Sequence, residues 1–152
     1  MVTVMATGTF DILHMGHIYF LKEAKKLGDK LVVVVACDET VRRLKHEPVT
    51  PEQMRLKLIK ELKVVDDAVL GKEDDMFEVV EQIQPDVIAL GYDQIHDENS
   101  LQKKLDNRNI ASRLVRLPKY DKTSDLDGTR RIISKIIDAY GFQREMEKIE
   151  QE

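Results

Sequence analysis

Residues 8–17 read Gly8-Thr9-Phe10-Asp11-Ile12-Leu13-His14-Met15-Gly16-His17 and directly follow an apolar run at residues 2–6. This pattern predicts the junction between a first β-strand and a first α-helix, with a glycine turn, a hydroxyl group and two imidazole rings. Backbone N–H groups at a helix start are unpaired, and the helix dipole favours negative charge there. The junction therefore predicts an anion site, and phosphate is the first ligand to consider.

Two other interpretations of this stretch stay open on the residues alone. Gly8 and Gly16 could serve tight turns while His14 and His17 only cap a helix. His14 and His17 could also share one helix face as zinc ligands, because residues three apart are neighbours on a helix. A zinc site would lack a third ligand of clear spacing, since the two other histidines fall in polar stretches.

Length, charge and cysteine content narrow the class of protein. A chain of 152 residues fits one domain, and a net charge of −4 with 24 basic and 28 acidic residues, well mixed, offers no basic face for nucleic acid. The single cysteine, Cys37, allows no intrachain disulfide and suits a reducing cytoplasm. The longest apolar run, residues 31–37, is far short of the roughly 20 residues of a membrane helix. We therefore expect a soluble cytoplasmic protein without nucleic-acid or membrane partners.

Short β-branched or leucine-rich runs predict five buried strands. They lie at residues 2–6, 31–36, 67–70, 87–90 and 112–117. Helical patterns lie between them, so the strands should pair in parallel. The alternation predicts a doubly wound, Rossmann-like α/β fold with a five-stranded parallel sheet in the order 3-2-1-4-5.

The helices carry start and stop signals of their own. Helical spacing over residues 18–27 ends at Gly28, and Thr50 as N-cap with Pro51 as first helical residue opens a second long helix. That helix should bury one apolar face, made of Met54, Leu58 and Leu62. Further helices are predicted over residues 76–84 and 100–107.

The last helix should begin near Thr129 and end in a charged tail. The apolar residues that should face a core are Ile132, Ile133, Ile136, Ile137 and Tyr140. We expect the helix to fray after residue 142. The chain is accordingly divided into one domain, residues 1–142, and a tail, residues 143–152.

Ligands of such sheets bind beyond the carboxyl ends of the strands, where the strand order reverses. Residues 8–17 after the first strand and Gly91-Tyr92-Asp93-Gln94 after the fourth should meet there. The dinucleotide fingerprint G-x-G-x-x-G is absent from the chain. The crevice is therefore predicted to take a mononucleotide.

Residues 8–17 match the T/S-x-F-D-x-x-H-x-G-H signature of the nucleotidylyltransferase superfamily. With residues 38–45, Arg55 and residues 91–94 in the same order, the chain resembles the cytidylyltransferase-like family, most of all the archaeal FAD synthases, which transfer AMP from ATP to FMN. It is similar at greater distance to glycerol-3-phosphate cytidylyltransferases. Two departures weaken a CTP specificity: residues 91–94 lack the tryptophan of G-x-D-W, and residues 119–130 replace an R-T-x-G-I-S-T loop.

This resemblance implies a set of site residues. His14, His17 and Lys45 would be catalytic, with both histidines donating hydrogen bonds to the triphosphate and Lys45 reaching the phosphates from the second loop. Arg55 would hold the pyrophosphate side, whereas Asp11 would fix the turn and would not bind metal. The nucleotide-binding set would be Thr9, Phe10, His14, His17, Arg55, Gly91, Asp93 and Thr129.

The resemblance also implies ATP and FMN as substrates, Mg²⁺ bound with the nucleotide, and a homodimer. Ordinary roles remain open for several of these residues: Lys45 and Arg55 could be solvated surface residues, Asp93 could cap a turn and Phe10 could belong to the core. The alternative functions are an alcohol-phosphate cytidylyltransferase that uses CTP and a non-catalytic nucleotide-binding module.

Overall fold

The computed structural model describes residues 1–121, 126 and 128–151. Within these residues, parallel strands alternate with helices as predicted. The strands are β1 (Thr3–Gly8), β2 (Lys30–Val35), β3 (Asp67–Leu70), β4 (Val87–Leu90) and β5 (Arg113–Arg116). The helices are α1 (Met15–Lys25), α2 (Asp38–Leu44), α3 (Glu52–Lys60), α4 (Met76–Ile83), α5 (Glu98–Asn107) and α6 (Thr129–Glu150).

The sheet has the order β3-β2-β1-β4-β5, and every neighbouring pair is parallel. In the register, Val4 of β1 lies between Leu31 of β2 and Val87 of β4. The strand order reverses between β1 and β4, so the crevice lies beyond Gly8 and Leu90. The predicted doubly wound α/β fold is confirmed, with strand ends shifted by one or two residues.

Helices cover both faces of the sheet. On one face, Leu21 of α1 and Ile59 of α3 pack against alternate strand residues such as Val33. On the other, α4 and α5 contribute Phe77 and Leu105 to a second core cluster. Strands buried on both faces explain the near-continuous apolar runs in the sequence. None of the described helices is long and apolar enough to cross a membrane.

Helix α3 differs from the prediction in its start and in the face that it buries. Its N-cap is Pro51, and the Thr50 hydroxyl donates instead to Asp11. Arg55 and Ile59 are the buried residues of α3, whereas Met54 and Leu58 are 47% and 40% exposed. The prediction was therefore wrong for Met54 and Leu58, because an arginine occupies the inward position. It was right for Leu62, which lies just beyond α3 and packs half-buried against the core.

Helix α6 also departs from the prediction. It continues without a break to Glu150, so the expected fraying after residue 142 is wrong. None of its described residues is buried, and Ile136, Ile137 and Tyr140 are about 60% exposed, which contradicts their predicted place in a core. Helix α6 is hydrogen-bonded to the Asp11 carbonyl at Thr129, and each of its described residues from Ser134 onward is exposed.

Candidate functional site

The site begins with the turn between β1 and α1. Phe10 and Ile12 have φ angles of 54° and 50°, a left-handed conformation that side chains rarely adopt. The Phe10 ring is buried, and a Cβ atom on Gly8 would lie 2.8 Å from it. Gly8 therefore provides space for the Phe10 ring, which belongs to the core. A ligand could be contacted by the backbone at Phe10 but not by its buried ring.

Asp11 anchors this turn to the segment before α3. Its buried carboxylate accepts hydrogen bonds from the backbone N–H groups of Val49 (2.7 Å) and Thr50 (2.9 Å), and from the Thr50 hydroxyl. Burial alone would raise the pKa of Asp11, but these hydrogen bonds and the charge of Arg55 lower it overall. The carboxylate is thus fully used in holding the turn, as the resemblance implies.

The two histidines stand together at the start of α1. His14 is the N-cap, and its Nδ1 accepts a hydrogen bond from the Gly16 N–H at 3.1 Å. The neutral His14 ring must then carry its proton on Nε2, which makes that atom a donor. The His14 and His17 rings stack with 3.7 Å between centroids, and Phe10 meets His17 edge-on. The helix-cap interpretation therefore describes His14 correctly, but it gives no role to His17.

His17 is neutral in the ligand-free protein. Burial is the main cause that lowers the pKa of His17 to about 3, and the positive charge of Lys45 lowers it further. Its Nδ1 is buried and has no hydrogen-bond partner among the described residues. An unpaired buried polar atom costs free energy, so the His17 ring is held in this position by its packing against Phe10 and His14.

Lys45 joins the turn from the end of α2. Its Nζ donates to the Thr9 hydroxyl at 3.3 Å. Thr129, at the start of α6, donates from its hydroxyl to the Asp11 carbonyl at 2.6 Å. The structure thus brings together five of the predicted site residues around one turn: Thr9, His14, His17, Lys45 and Thr129. Lys45 carries a positive charge, and the two imidazole rings are basic groups beside it.

Arg55 is not where the sequence analysis places it. Its side chain is fully buried, and its guanidinium donates to the carbonyls of Thr9 and Ala36, both at 2.7 Å, and to Asp38 at 2.6 Å. A further bond reaches the Thr50 carbonyl. These bonds join the ends of β1 and β2 to α2 and α3. Arg55 therefore holds the β1–α1 turn in place from behind, and its burial leaves no surface on it for the pyrophosphate contact that the resemblance implies.

The turn after β4 forms the opposite wall. Gln94 donates to the Thr7 carbonyl of β1, and Arg116 of β5 donates to the carbonyls of Gly91 and Gln94. Asp93 is exposed at this wall, beside Gly91. The sequence analysis missed the anchoring roles of Gln94 and Arg116. The available signal was an arginine at the carboxyl end of β5, the strand that pairs with β4.

An open groove of about 1050 Å³ extends from the turn across the other face of the sheet. Thr9 and Lys45 line its inner end, and Asp93 lies on its wall. Cys37 also lines the groove, as its place at the end of β2 predicts. His14, His17 and Thr129 are not among the residues that line it. The turn therefore separates a polar, histidine-lined side from a longer groove.

Metal binding finds no support in residues 1–121, 126 and 128–151. They contain no cluster of three or more His, Cys, Asp or Glu side chains that could hold a metal ion. The stacked arrangement of His14 and His17 also leaves both rings face to face, with no shared ligand position indicated.

Of the predicted loop at residues 119–130, residues 122–125 and 127 lie outside the described residues.

The chain is similar in sequence to known proteins. The family profile described as cytidylyltransferase-like matches residues 5–135. A protein named FAD synthase from Aciduliprofundum boonei is 57% identical over 91% of this chain and 92% of its own length. Another FAD synthase, from Thermoplasma acidophilum, is 52% identical over 93% of this chain and 98% of its own.

A solved structure agrees with the fold. It is a crystal structure described as the lipopolysaccharide core biosynthesis protein from Thermoplasma volcanium GSS1. That chain is 57% identical to this one, superimposes with a TM-score of 0.79, and is matched over 99% of its length and 80% of this chain. The sequence resemblance and the fold thus lead to the same group of proteins.

Proposed function

Because this chain belongs to the cytidylyltransferase-like family of nucleotidyltransferases, we propose that it is an FAD synthase, which transfers AMP from ATP to FMN. The observation that carries the proposal is the turn that gathers Thr9, His14, His17 and Lys45. Relatives named FAD synthase match about nine tenths of the chain at 52% and 57% identity. The name of these relatives indicates ATP and FMN as substrates, and the side chains of the turn are hydrogen-bond donors that suit phosphate groups.

The reaction needs few protein groups. An oxygen of the FMN phosphate attacks the α-phosphorus of ATP and forms a new P–O–P bond, while the bond between the α-phosphorus and the bridging oxygen to the β-phosphorus breaks. Pyrophosphate leaves with the electron pair. The FMN phosphate is already an anion near neutral pH, since its second pKa is about 6. No side chain has to remove a proton from the nucleophile.

The barrier to this reaction is charge, because one anion must approach another. Donors fixed around the turn would oppose that repulsion and hold the two reactants in line. His14 would donate from Nε2, and the Thr9 hydroxyl and the Lys45 ammonium group would serve the phosphates that meet between them. In the ligand-free protein, burial and its neighbours keep the pKa of His17 far below neutral, so this ring would meet the triphosphate in its neutral form and could serve as a donor.

Magnesium enters this proposal as part of the substrate. Mg²⁺ prefers oxygen ligands, keeps several waters and is usually bound through substrate phosphates in such sites. The described residues offer no acidic cluster for a resident ion, and the Asp11 carboxylate is occupied by three hydrogen bonds. The nucleotide would therefore bring its Mg²⁺ with it, and the protein would bind the complex through the phosphates.

Two further properties belong to the proposal. We expect a homodimer and a cytoplasmic protein, since a single free cysteine fits a reducing compartment. The absence of nucleic-acid and membrane partners stays a prediction from the charge pattern and the short apolar runs.

Incubation of the pure protein with FMN and each of the four nucleoside triphosphates in turn tests the proposal. We expect a flavin dinucleotide with ATP, identified by chromatography and mass, and much less product with CTP, GTP or UTP. The same assay with glycerol 3-phosphate as acceptor should give no product. Consumption of CTP with glycerol 3-phosphate would establish the cytidylyltransferase, and no pyrophosphate from any pair would support a non-catalytic module.

A further inference from the structure

We infer that Arg116 and Gln94 are positioning residues for the nucleotide, because together they fix the turn after β4 against β1 at the point where the strand order reverses. Neither side chain has to contact a ligand for this role. The inference rests on the proposed function and adds to it two residues that determine how firmly ATP is held. Residues 8–17 include neither of them.

Arg116 binds the backbone of one short segment, the residues that follow β4. Its guanidinium donates to the carbonyls of Gly91 and His96, both at 2.7 Å, and to the Gln94 carbonyl at 3.0 Å. A fourth bond, from Nε to the Glu98 carboxylate at 2.7 Å, joins Arg116 to the first turn of α5. Three carbonyls of the segment thus bond to one planar group, and the fixed fork of an arginine suits several acceptors at once.

The same segment forms part of the groove wall. Residues 93–96 line the groove, whereas Arg116 is not among the residues that line it. Asp93, Ile95 and His96 are exposed, so the segment has little packing of its own. Its position therefore depends on side-chain hydrogen bonds more than on burial, and Arg116 supplies these bonds from behind the wall.

Gln94 connects this segment directly to β1. The paired register of β1 and β4 ends at Ala6 and Ala89. Beyond that pair, the Gln94 Nε2 donates to the Thr7 carbonyl at 2.8 Å, and its Oε1 accepts from the Gly91 N–H at 3.3 Å. A side-chain amide carries both a donor and an acceptor, so it can make both bonds. The Gln94 amide therefore continues the connection between the two strands past their last ladder pair.

The bond from Gln94 sets the distance between the two turns that border the crevice. Thr7 lies two residues before Thr9, and ligands of doubly wound sheets bind between the turns at the reversal of strand order. Gly91 and Asp93 of the β4 turn are predicted to bind the nucleotide. A displaced β4 turn would therefore weaken the binding of ATP.

The β1–α1 turn has anchors of its own. Asp11 accepts hydrogen bonds from the segment before α3, and Arg55 donates to the Thr9 carbonyl. These bonds involve neither positioning residue, so the donors of the β1–α1 turn should keep their places when a positioning residue is replaced. We therefore expect weaker nucleotide binding with little change in the chemical step, a division that a role in folding alone would not produce.

Gln94→Met tests the amide bridge. Methionine has a similar length but lacks the amide, so the variant should raise the Kd for a non-hydrolysable ATP analogue with Mg²⁺ by roughly tenfold, the size of about one lost hydrogen bond. The KM for ATP should rise in parallel, while kcat and the KM for FMN should stay within about threefold of wild type. Gln143→Met is the matched control, because Gln143 is exposed on α6, and it should leave all four constants unchanged.

Arg116→Lys separates the hydrogen-bonding role from a simple effect of charge. Lysine keeps the positive charge but lacks the planar fork, so Arg116→Lys should weaken binding of the ATP analogue by at least about fivefold, close to the effect of Arg116→Met. Binding like wild type in Arg116→Lys would show that charge alone matters and would refute the positioning role of Arg116. Arg113→Met is the control, because Arg113 is exposed on the same strand. Circular dichroism checks the fold of each variant, and Gln94→Met decides the inference if the Arg116 variants do not fold.

The outcomes separate this inference from the proposed function. If the wild-type protein makes FAD but Gln94→Met and Arg116→Lys bind the ATP analogue like wild type, the positioning roles are wrong and the function stands. A raised KM for FMN with normal binding of the analogue would show that the β4 turn serves the acceptor, and it would also overturn the inference. If the wild-type protein makes no FAD but binds the analogue, and both variants bind it more weakly, the proposed function fails and the positioning roles remain.

Discussion

At the scale of single residues, the chemistry rests on side chains that the sequence already singles out. His14 and His17 are three residues apart, and the start of α1 turns this spacing into two stacked rings. What the sequence could not reveal is how each ring is held. The cap bond to Gly16 fixes His14 as a donor from Nε2, and burial keeps His17 neutral. Both properties depend on residues that fold around the pair.

Loss of either histidine should remove most of the activity. If both rings stabilise charge in the transition state, His14→Ala and His17→Ala should each lower kcat by roughly 10²-fold or more, the range for a lost preorganised donor. Circular dichroism should show that both variants remain folded. His46→Ala is the control, because His46 is exposed on the loop after α2. Near-normal turnover in either site variant would refute the assignment.

Two glycines should respond in opposite ways to the same substitution. Gly8→Ala would place a Cβ atom 2.8 Å from the Phe10 ring, and such overpacking costs about 1–3 kcal/mol of unfolding free energy. Gly141→Ala, in the interior of α6 with no atom near its Cβ position, should stabilise the helix by about 0.5–1 kcal/mol. Urea titrations of both variants would measure the difference, and equal effects would contradict the packing of Phe10.

At the scale of secondary-structure elements, the strands could be predicted and the helix faces could not. Buried parallel strands are apolar on both faces, so β1 to β5 are visible as short runs in the sequence. The face that a helix buries depends on the elements packed against it. In α3, Arg55 lies inward because three backbone carbonyls and the Asp38 carboxylate accept its hydrogen bonds there. The sequence does not show these acceptors, so its apolar pattern predicts that Met54 and Leu58 are buried instead.

The hydrogen bonds of Arg55 should contribute strongly to stability, because they connect the ends of β1 and β2 to α3. Arg55→Met keeps much of the side-chain volume but leaves Asp38 and three carbonyls without their donor, so we expect a loss of about 3–5 kcal/mol in the free energy of unfolding. Met54→Ala, at the exposed neighbouring position, should change stability by less than 1 kcal/mol. A variant as stable as wild type would contradict the buried network, and either result can be measured by denaturant titration.

At the scale of the whole molecule, the order β3-β2-β1-β4-β5 places every part of the proposed site around the reversal between β1 and β4. This position follows from topology alone and was predicted from the alternation of strands and helices. The exposure of α6 was not predicted, because helical periodicity does not show whether a partner element is present. The groove was also unforeseen in its extent, since its lining comes from separate parts of the chain.

The molecule should form a dimer in solution. Helix α6 exposes Ile136, Ile137, Tyr140 and Phe142 by about 60% each, and apolar surface of this extent is uncommon on a monomer. Light scattering at micromolar concentration should give about twice the chain mass of 17.6 kDa. Ile137→Glu on α6 should shift the mass toward the monomer if that helix lies in the interface. A wild-type monomer would refute the dimer without affecting the proposed enzyme activity.

The central claim is that the turn at residues 8–17 supports transfer of AMP from ATP to FMN. Its most direct test follows two radioactive labels in ATP, one at the α-phosphorus and one at the γ-phosphorus, during turnover with FMN and Mg²⁺. We predict that the α label appears in FAD and the γ label in pyrophosphate, in equal amounts, and that His17→Ala suppresses both. Release of the γ label as inorganic phosphate, or a flavin product without the α label, would contradict the account.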